Sequence, residues 1–228
     1  MKASELKALM ENDPGYLARR NEMQDRVKEI ENESKILETP FIEDLHVHGY
    51  TSIQSSSDLT KLKKADPTLV ELLLKWIPRI DNKHRSQEML VRGLAVATAP
   101  FNAAALTHLF DNSQAFSLKW AIANTIAGND LLNVTSWLEK KLNDEVPDKT
   151  WEMLMYAVAR YFPYDRSSEM LRRLFHQFPL QVADAFSMIG RTADITYLED
   201  MSLKYKGAQR TSINKSIKKL QQRLGKGK

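Results

Sequence analysis

Arg92, Trp120, Tyr156, Asp184 and Lys215 are the side chains whose types and spacing suggest recognition chemistry. Each occupies position X of one pattern: apolar, any, X, small, apolar. The first copy is Leu90-Val91-Arg92-Gly93-Leu94. Leu118–Ile122, Leu154–Val158 and Val182–Phe186 repeat it, and Ile213–Ile217 repeats it more loosely. The steps between X residues are 28, 36, 28 and 31. A helical residue turns about 100° from its neighbour, so the apolar and small positions form one stripe and X lies nearly opposite. The residue one turn later shares the face of X. Those residues are Val96, Asn124, Arg160, Met188 and Lys219. The expected outcome is a ladder of cations, aromatics, an amide and an acid along one groove. Arg, Trp and Tyr are the types that dominate binding hot spots. Arg92, Trp120, Asn124, Tyr156, Arg160 and Asp184 are the candidate partner-binding residues, and Lys215 and Lys219 are candidates for anion contact.

Other chemistries find no support. The chain has no phosphate loop, dinucleotide fingerprint, G-x-S-x-G or H-E-x-x-H. It has no Cys, which excludes thiol catalysis, disulfides and thiolate metal sites. His46 and His48 lie beside Glu43 and Asp44. On a helix, however, their two-residue spacing splays them about 200° apart, and no third ligand is evident. The expectation is a non-catalytic protein without metal or cofactor.

A ladder of this kind needs stacked helices to carry it. Recurrence at about 20–50 residues marks a solenoid. Helices are expected in pairs, the first members near 68–77, 102–110, 131–142, 166–176 and 194–204. The second members fall near 84–97, 115–127, 149–161, 180–190 and 208–224. Pro100, Gly128-Asn129, Pro147, Pro163, Pro179, Gly190 and Gly207 punctuate them. No stretch alternates with period two, so almost no sheet is expected. Leu94, Ile122, Val158 and Phe186 hold the same position in four copies and should be buried. Ile213, Ile217, Leu220 and Leu224 should seat the last helix, with Lys215 and Lys219 outside that stripe.

The first 64 residues read differently, as a helical cap with a polar loop before repeats over 65–228. Residues 3–11 suggest a short helix. Asp13-Pro14 then reads as a helix start, with the helix running to about Lys35. Tyr16, Met23, Val27, Ile30 and Leu37 form a narrow stripe on this charged rod. Its expected role is to cap the first repeat, with pairing to another copy of itself as the alternative. Thr39-Pro40 suggests a new short helix ended by Gly49. Thr51–Ser57 reads as a loop whose last serine caps a helix over 58–64. Asp66-Pro67 starts the first repeat.

Charge is uneven. The net charge is +4 over 228 residues, yet nine Lys or Arg and no acid follow Asp200. The rest is mildly acidic. A basic end of this kind suits an anionic partner. No run of about 18 apolar residues suggests a membrane span, and the N-terminal apolar segment is short for a signal peptide. With the lack of Cys, this favours a cytoplasmic protein.

The stretches DPTLVELLLKWIPRI, QEMLVRGLAVATAP and FSLKWAIANTIAG resemble bacterial HEAT-repeat proteins, many without assigned function. The resemblance spans roughly residues 40–204 and is most specific at Trp120–Asn124. It implies an all-α, HEAT-like α-solenoid of about five helix pairs. It also implies a binding role, a protein-binding scaffold whose concave face takes a helix or extended segment. Nucleic-acid binding by a basic concave face and the last helix is the alternative. Within the resemblance, HEAT-like alkylpurine DNA glycosylases place aromatics and an aspartate on a basic concave surface. Trp120, Tyr156, Arg160 and Asp184 are the matching residues here. The chain departs from that set at Asn124, where the carboxylate would be expected and an amide cannot replace it.

Overall fold

The structure, a computed structural model, describes residues 11–144 and 146–225. It is built of helices in chain order. A long α1 (Pro14–Val47) leads to ten shorter helices. These are α2 (Pro67–Trp76), α3 (Ser86–Leu94), α4 (Ala104–Asn112), α5 (Phe116–Gly128) and α6 (Thr135–Asp144). They continue as α7 (Leu154–Tyr161), α8 (Tyr164–Leu174), α9 (Pro179–Ile189), α10 (Thr192–Ser202) and α11 (Gly207–Arg223). Short 3-10 turns cover Ser56–Lys61, Lys83–Arg85 and Lys149–Trp151. The short helix expected over 3–11 falls almost wholly outside the described residues.

From α2 onward the helices alternate between two layers. The odd-numbered helices α3, α5, α7, α9 and α11 each pack on the next in chain order. The even-numbered helices α2, α4, α8 and α10 pack on odd-numbered neighbours. The small residue of each pattern copy is what permits the close stacking. Gly93, Ala121, Ala157, Ala185 and Ser216 are all buried. A methyl on Gly93 would meet Leu73 Cδ1 at 3.1 Å and Leu59 Cβ at 3.2 Å, so a glycine suits the close packing there. Leu94, Ile122, Val158 and Phe186 are all at 0% exposure, which confirms the register of the four copies. Ile213, Ile217 and Leu220 bury α11 as expected, while Leu224 is half-buried. Strand is minimal among the described residues. A two-residue parallel pair, β1 (Phe101–Asn102) on β2 (Leu131–Leu132), ties the segments that enter α4 and α6. An isolated bridge joins Ala65 to Ala97 in the same way one unit earlier.

The N-terminal region departs from expectation at Pro40. No helix ends at Lys35 and none begins at Pro40; α1 runs through both. Proline inside a helix removes a hydrogen bond and crowds the preceding turn. Anchors on both sides hold the helix across it. Just before Pro40, Glu38 is buried and accepts bonds from Ser56 N at 2.7 Å, Ser56 Oγ at 2.6 Å and Ser86 Oγ at 2.6 Å. Just after it, Phe41 and Leu45 sit in the core at 0% exposure. Asp13 caps the helix start through Gly15 N, with Pro14 in the first turn. The turn after the serine loop starts one residue pair earlier than expected, at Ser56, with Ser55 N bonded to Asp58 Oδ2. Phe41, Leu45, Ile53 and Leu59 join the same hydrophobic core as the repeats.

Candidate functional site

The odd-numbered helices present the X residues side by side. The Arg92 guanidinium lies 5.8 Å from the Trp120 ring centroid, linking α3 to α5. Asn124 on α5, Tyr156 on α7 and Met188 on α9 line one open cavity of about 290 Å³, with Ala95, Ala127, Gly128 and Met153 completing its walls. The Tyr156 hydroxyl donates to Asp184 Oδ2 at 3.4 Å, linking α7 to α9. Lys219 Nζ donates to Asp184 Oδ1 at 2.7 Å, linking α9 to α11. Side-chain contacts thus join α3 to α5 and α7 through α9 to α11, and the shared cavity lies between α5 and α7.

The ends of this line are held differently from its middle. Arg92 is fixed from below by Glu88, one turn earlier, through Nε at 2.8 Å. Glu88 is fully buried and also takes Arg85 at 2.9 and 2.6 Å. Burial pushes the Glu88 carboxyl up, but donors from Arg85, Ser117 and Arg92 outweigh it and bring it down to about 2. Burial, then the Asp184 charge and hydrogen bond, push the Tyr156 hydroxyl up to about 12. Tyr156 is therefore a neutral donor at physiological pH. In the middle, no hydrogen-bond partner meets the Trp120 indole N–H or the Asn124 amide among the described residues. Both side chains are half-exposed, and Asn124 lines the cavity.

Arg160 turns away from this cavity. It donates from Nε and Nη2 to Asp130 Oδ1 at 3.1 and 2.9 Å, so it marks the edge of the groove rather than its floor. Lys215 is exposed and meets no acid among the described residues, whereas Lys219 is committed to Asp184. Sequence reasoning passed over Glu88, Met153 and Met188 as site residues. Met188 was marked by its place one turn after Asp184, and Glu88 by its i,i+4 spacing to Arg92. Nothing local marked Asp130, which lies 30 residues from Arg160.

The two histidines serve the backbone. His46 Nε2 bonds Ile53 O at 2.8 Å and His48 Nδ1 bonds Asp44 O at 2.8 Å. Among the described residues no group of three or more His, Asp or Glu could hold a metal ion. No described helix is long and apolar enough to cross a membrane. In comparisons with known proteins, no family model, no curated protein and no solved structure matches this chain.

Proposed function

We propose that the chain is a non-catalytic protein-binding scaffold, a HEAT-like α-solenoid of about five helix pairs that takes a helix or extended segment along the odd-numbered helices. The observation that carries this is the continuous line from Arg92 through Trp120, Asn124, Tyr156 and Met188 to Asp184 and Lys219. It runs across successive units, so it suits an elongated partner. Its middle combines apolar wall with an unpaired indole N–H and an unpaired amide, the mixture a peptide backbone can satisfy. Asp184 stands in the line and would repel a phosphate chain there. Its engagement by Lys219 and Tyr156 also fits a fixed recognition group better than a glycosylase carboxylate. The test is a peptide-library selection on the intact protein. Selected peptides should bind wild type, lose affinity at least tenfold against the Trp120→Ala, Tyr156→Ala double variant, and depend weakly on salt. Peptides that bind both proteins equally would place the site elsewhere.

Nucleic-acid binding is the second reading, and α11 favours it. Lys206, Arg210, Lys215 and Lys218 meet no acid among the described residues, and none follows Asp200. Thr211, Asn214 and Gln222 share the exposed face with Lys215 and Lys218 and are types that contact phosphate. Binding of this kind should fall with salt by a log–log slope near −0.9 per duplex phosphate contacted. A flat salt response would remove it.

A further inference from the structure

We propose that the projecting half of α1 pairs antiparallel with α1 of a second copy of this chain. From Ala18 to Asn32 every residue of α1 is exposed. A lone helix of about that length is marginal in water, because nucleation is costly and propensity alone repays little. The exposed residues are also not random. Met23, Val27, Ile30, Ser34, Leu37 and Phe41 follow one another by 4, 3, 4, 3 and 4 residues, which is the seam of a heptad repeat. The end of the seam is satisfied by the protein's own body, where Phe41 is buried and Leu37 packs against the core. The start is not. Met23, Val27 and Ile30 keep 68%, 47% and 41% of their surface in water.

Space for a second helix is present beside this seam. Ile30, Ser34 and Ile42 form one wall of a cavity of about 740 Å³, and Met89 and the loop at Ser55–Ser57 form the other. A helix laid along the exposed seam would run into that cavity. The pattern of α1 itself fits the role. With a two-fold axis between residues 28 and 29, Val27 faces Ile30 of the second copy and Met23 faces its Ser34. Arg26 then flanks Glu33 of the second copy, and symmetry supplies each contact twice. Glu33 already accepts Lys83 and His84 on its own body, at 2.7 and 2.6 Å, and its side chain remains 41% exposed to a third donor. A parallel pair would instead set Arg20 against Arg20 inside the seam.

Molar mass measured by light scattering over a concentration series, with the intact chain, tests this. Wild type should reach twice the monomer mass, and Val27→Glu should halve it while the melting temperature of the body stays unchanged. Since the chain has no Cys, introduced thiols report register directly. A mixture of Met23→Cys and Ser34→Cys chains should form an intermolecular disulfide on mild oxidation, and neither variant should do so alone. A monomer at every concentration overturns the proposal. A disulfide dimer of Met23→Cys alone overturns it too, because that link requires the parallel arrangement. So does a dimer that survives Val27→Glu and forms no 23–34 link.

Discussion

Trp76 and Trp137, on the even-numbered helices, and Trp120, on an odd-numbered one, are the same residue put to opposite uses. The Trp76 indole donates to Asp44 at 2.6 Å and stands edge-on to Phe41, with ring centroids 6.0 Å apart. Lys75 donates to the same carboxylate at 2.7 Å. Two units later Trp137 repeats the arrangement, with Asp111 at 2.9 Å, Phe110 at 5.4 Å and Lys141 at 2.6 Å. Near the C-terminal end Tyr197 stands edge-on to Phe175 at 5.7 Å, while Arg172 donates to Asp194 at 2.6 Å. Each set uses up its aromatic, cation and acid within the fold. Trp120 has a cation over its ring but, among the described residues, no acceptor for its N–H. The even-numbered layer ties these residue types to one another, whereas in the odd-numbered layer Arg92, Tyr156 and Asp184 are engaged but the Trp120 indole N–H is not, among the described residues. Residue type alone therefore does not decide whether an aromatic is tied into the fold; its neighbours do.

The largest expected effect lies in the even-numbered layer. Phe110→Ala should destabilise by about 3–5 kcal/mol, since Phe110 is fully buried and would leave a cavity under Trp137. Trp120→Ala should stay within about 1 kcal/mol, despite removing a larger side chain. Urea unfolding of both variants measures this, and equal losses would erase the distinction between layers.

A carboxylate in each layer sharpens the contrast. Asp111→Ala should cost about 1 kcal/mol, because it removes the hydrogen bond to the Trp137 N–H and an ion pair with Lys141, whose side chain is only 7% exposed. Asp184→Ala should cost less than about 1 kcal/mol, because its partner Lys219 is 51% exposed and remains solvated. The reverse order in thermal melts would show that the odd-numbered line is structural.

Glu88 is where the two uses meet, a buried acid that orients an exposed groove residue. Its carboxyl lies below the ordinary value of 4.5, at about 2. A lowered folded value means its stabilisation is complete above pH 4.5 and is lost as pH falls toward 2. Glu88→Gln should therefore flatten the acid limb of a melting-temperature profile between those values. An unchanged limb would mean that other groups set acid stability. The smallest effect is expected for Lys219→Ala, within about 0.5 kcal/mol of wild type, as for other solvated ion pairs.

Local pattern explains why the helix pairs were legible. The apolar and small positions of each copy lie within five residues, and burial of Leu94, Ile122, Val158 and Phe186 follows from them. The passage of α1 through Pro40 was not legible, because local rules favour a helix start there. What overrides them is Glu38 bonding to Ser56 and Ser86, 18 and 48 residues away. Likewise, that Trp76 and Trp137 meet acids depends on contacts over 32 and 26 residues. The candidate groove was legible to the level of a shared face. That Arg160 leaves it for Asp130, and that Lys219 closes on Asp184, depends on how neighbouring units stack.

The most direct test of the central claim compares Trp120→Ala with Trp137→Ala, using a peptide selected on the intact protein and isothermal calorimetry alongside thermal melts. The account predicts that Trp120→Ala weakens the peptide at least tenfold and leaves the melting temperature nearly unchanged. It predicts that Trp137→Ala lowers the melting temperature and leaves affinity intact at temperatures where the protein is folded. Loss of affinity in Trp137→Ala with full binding by Trp120→Ala would contradict it.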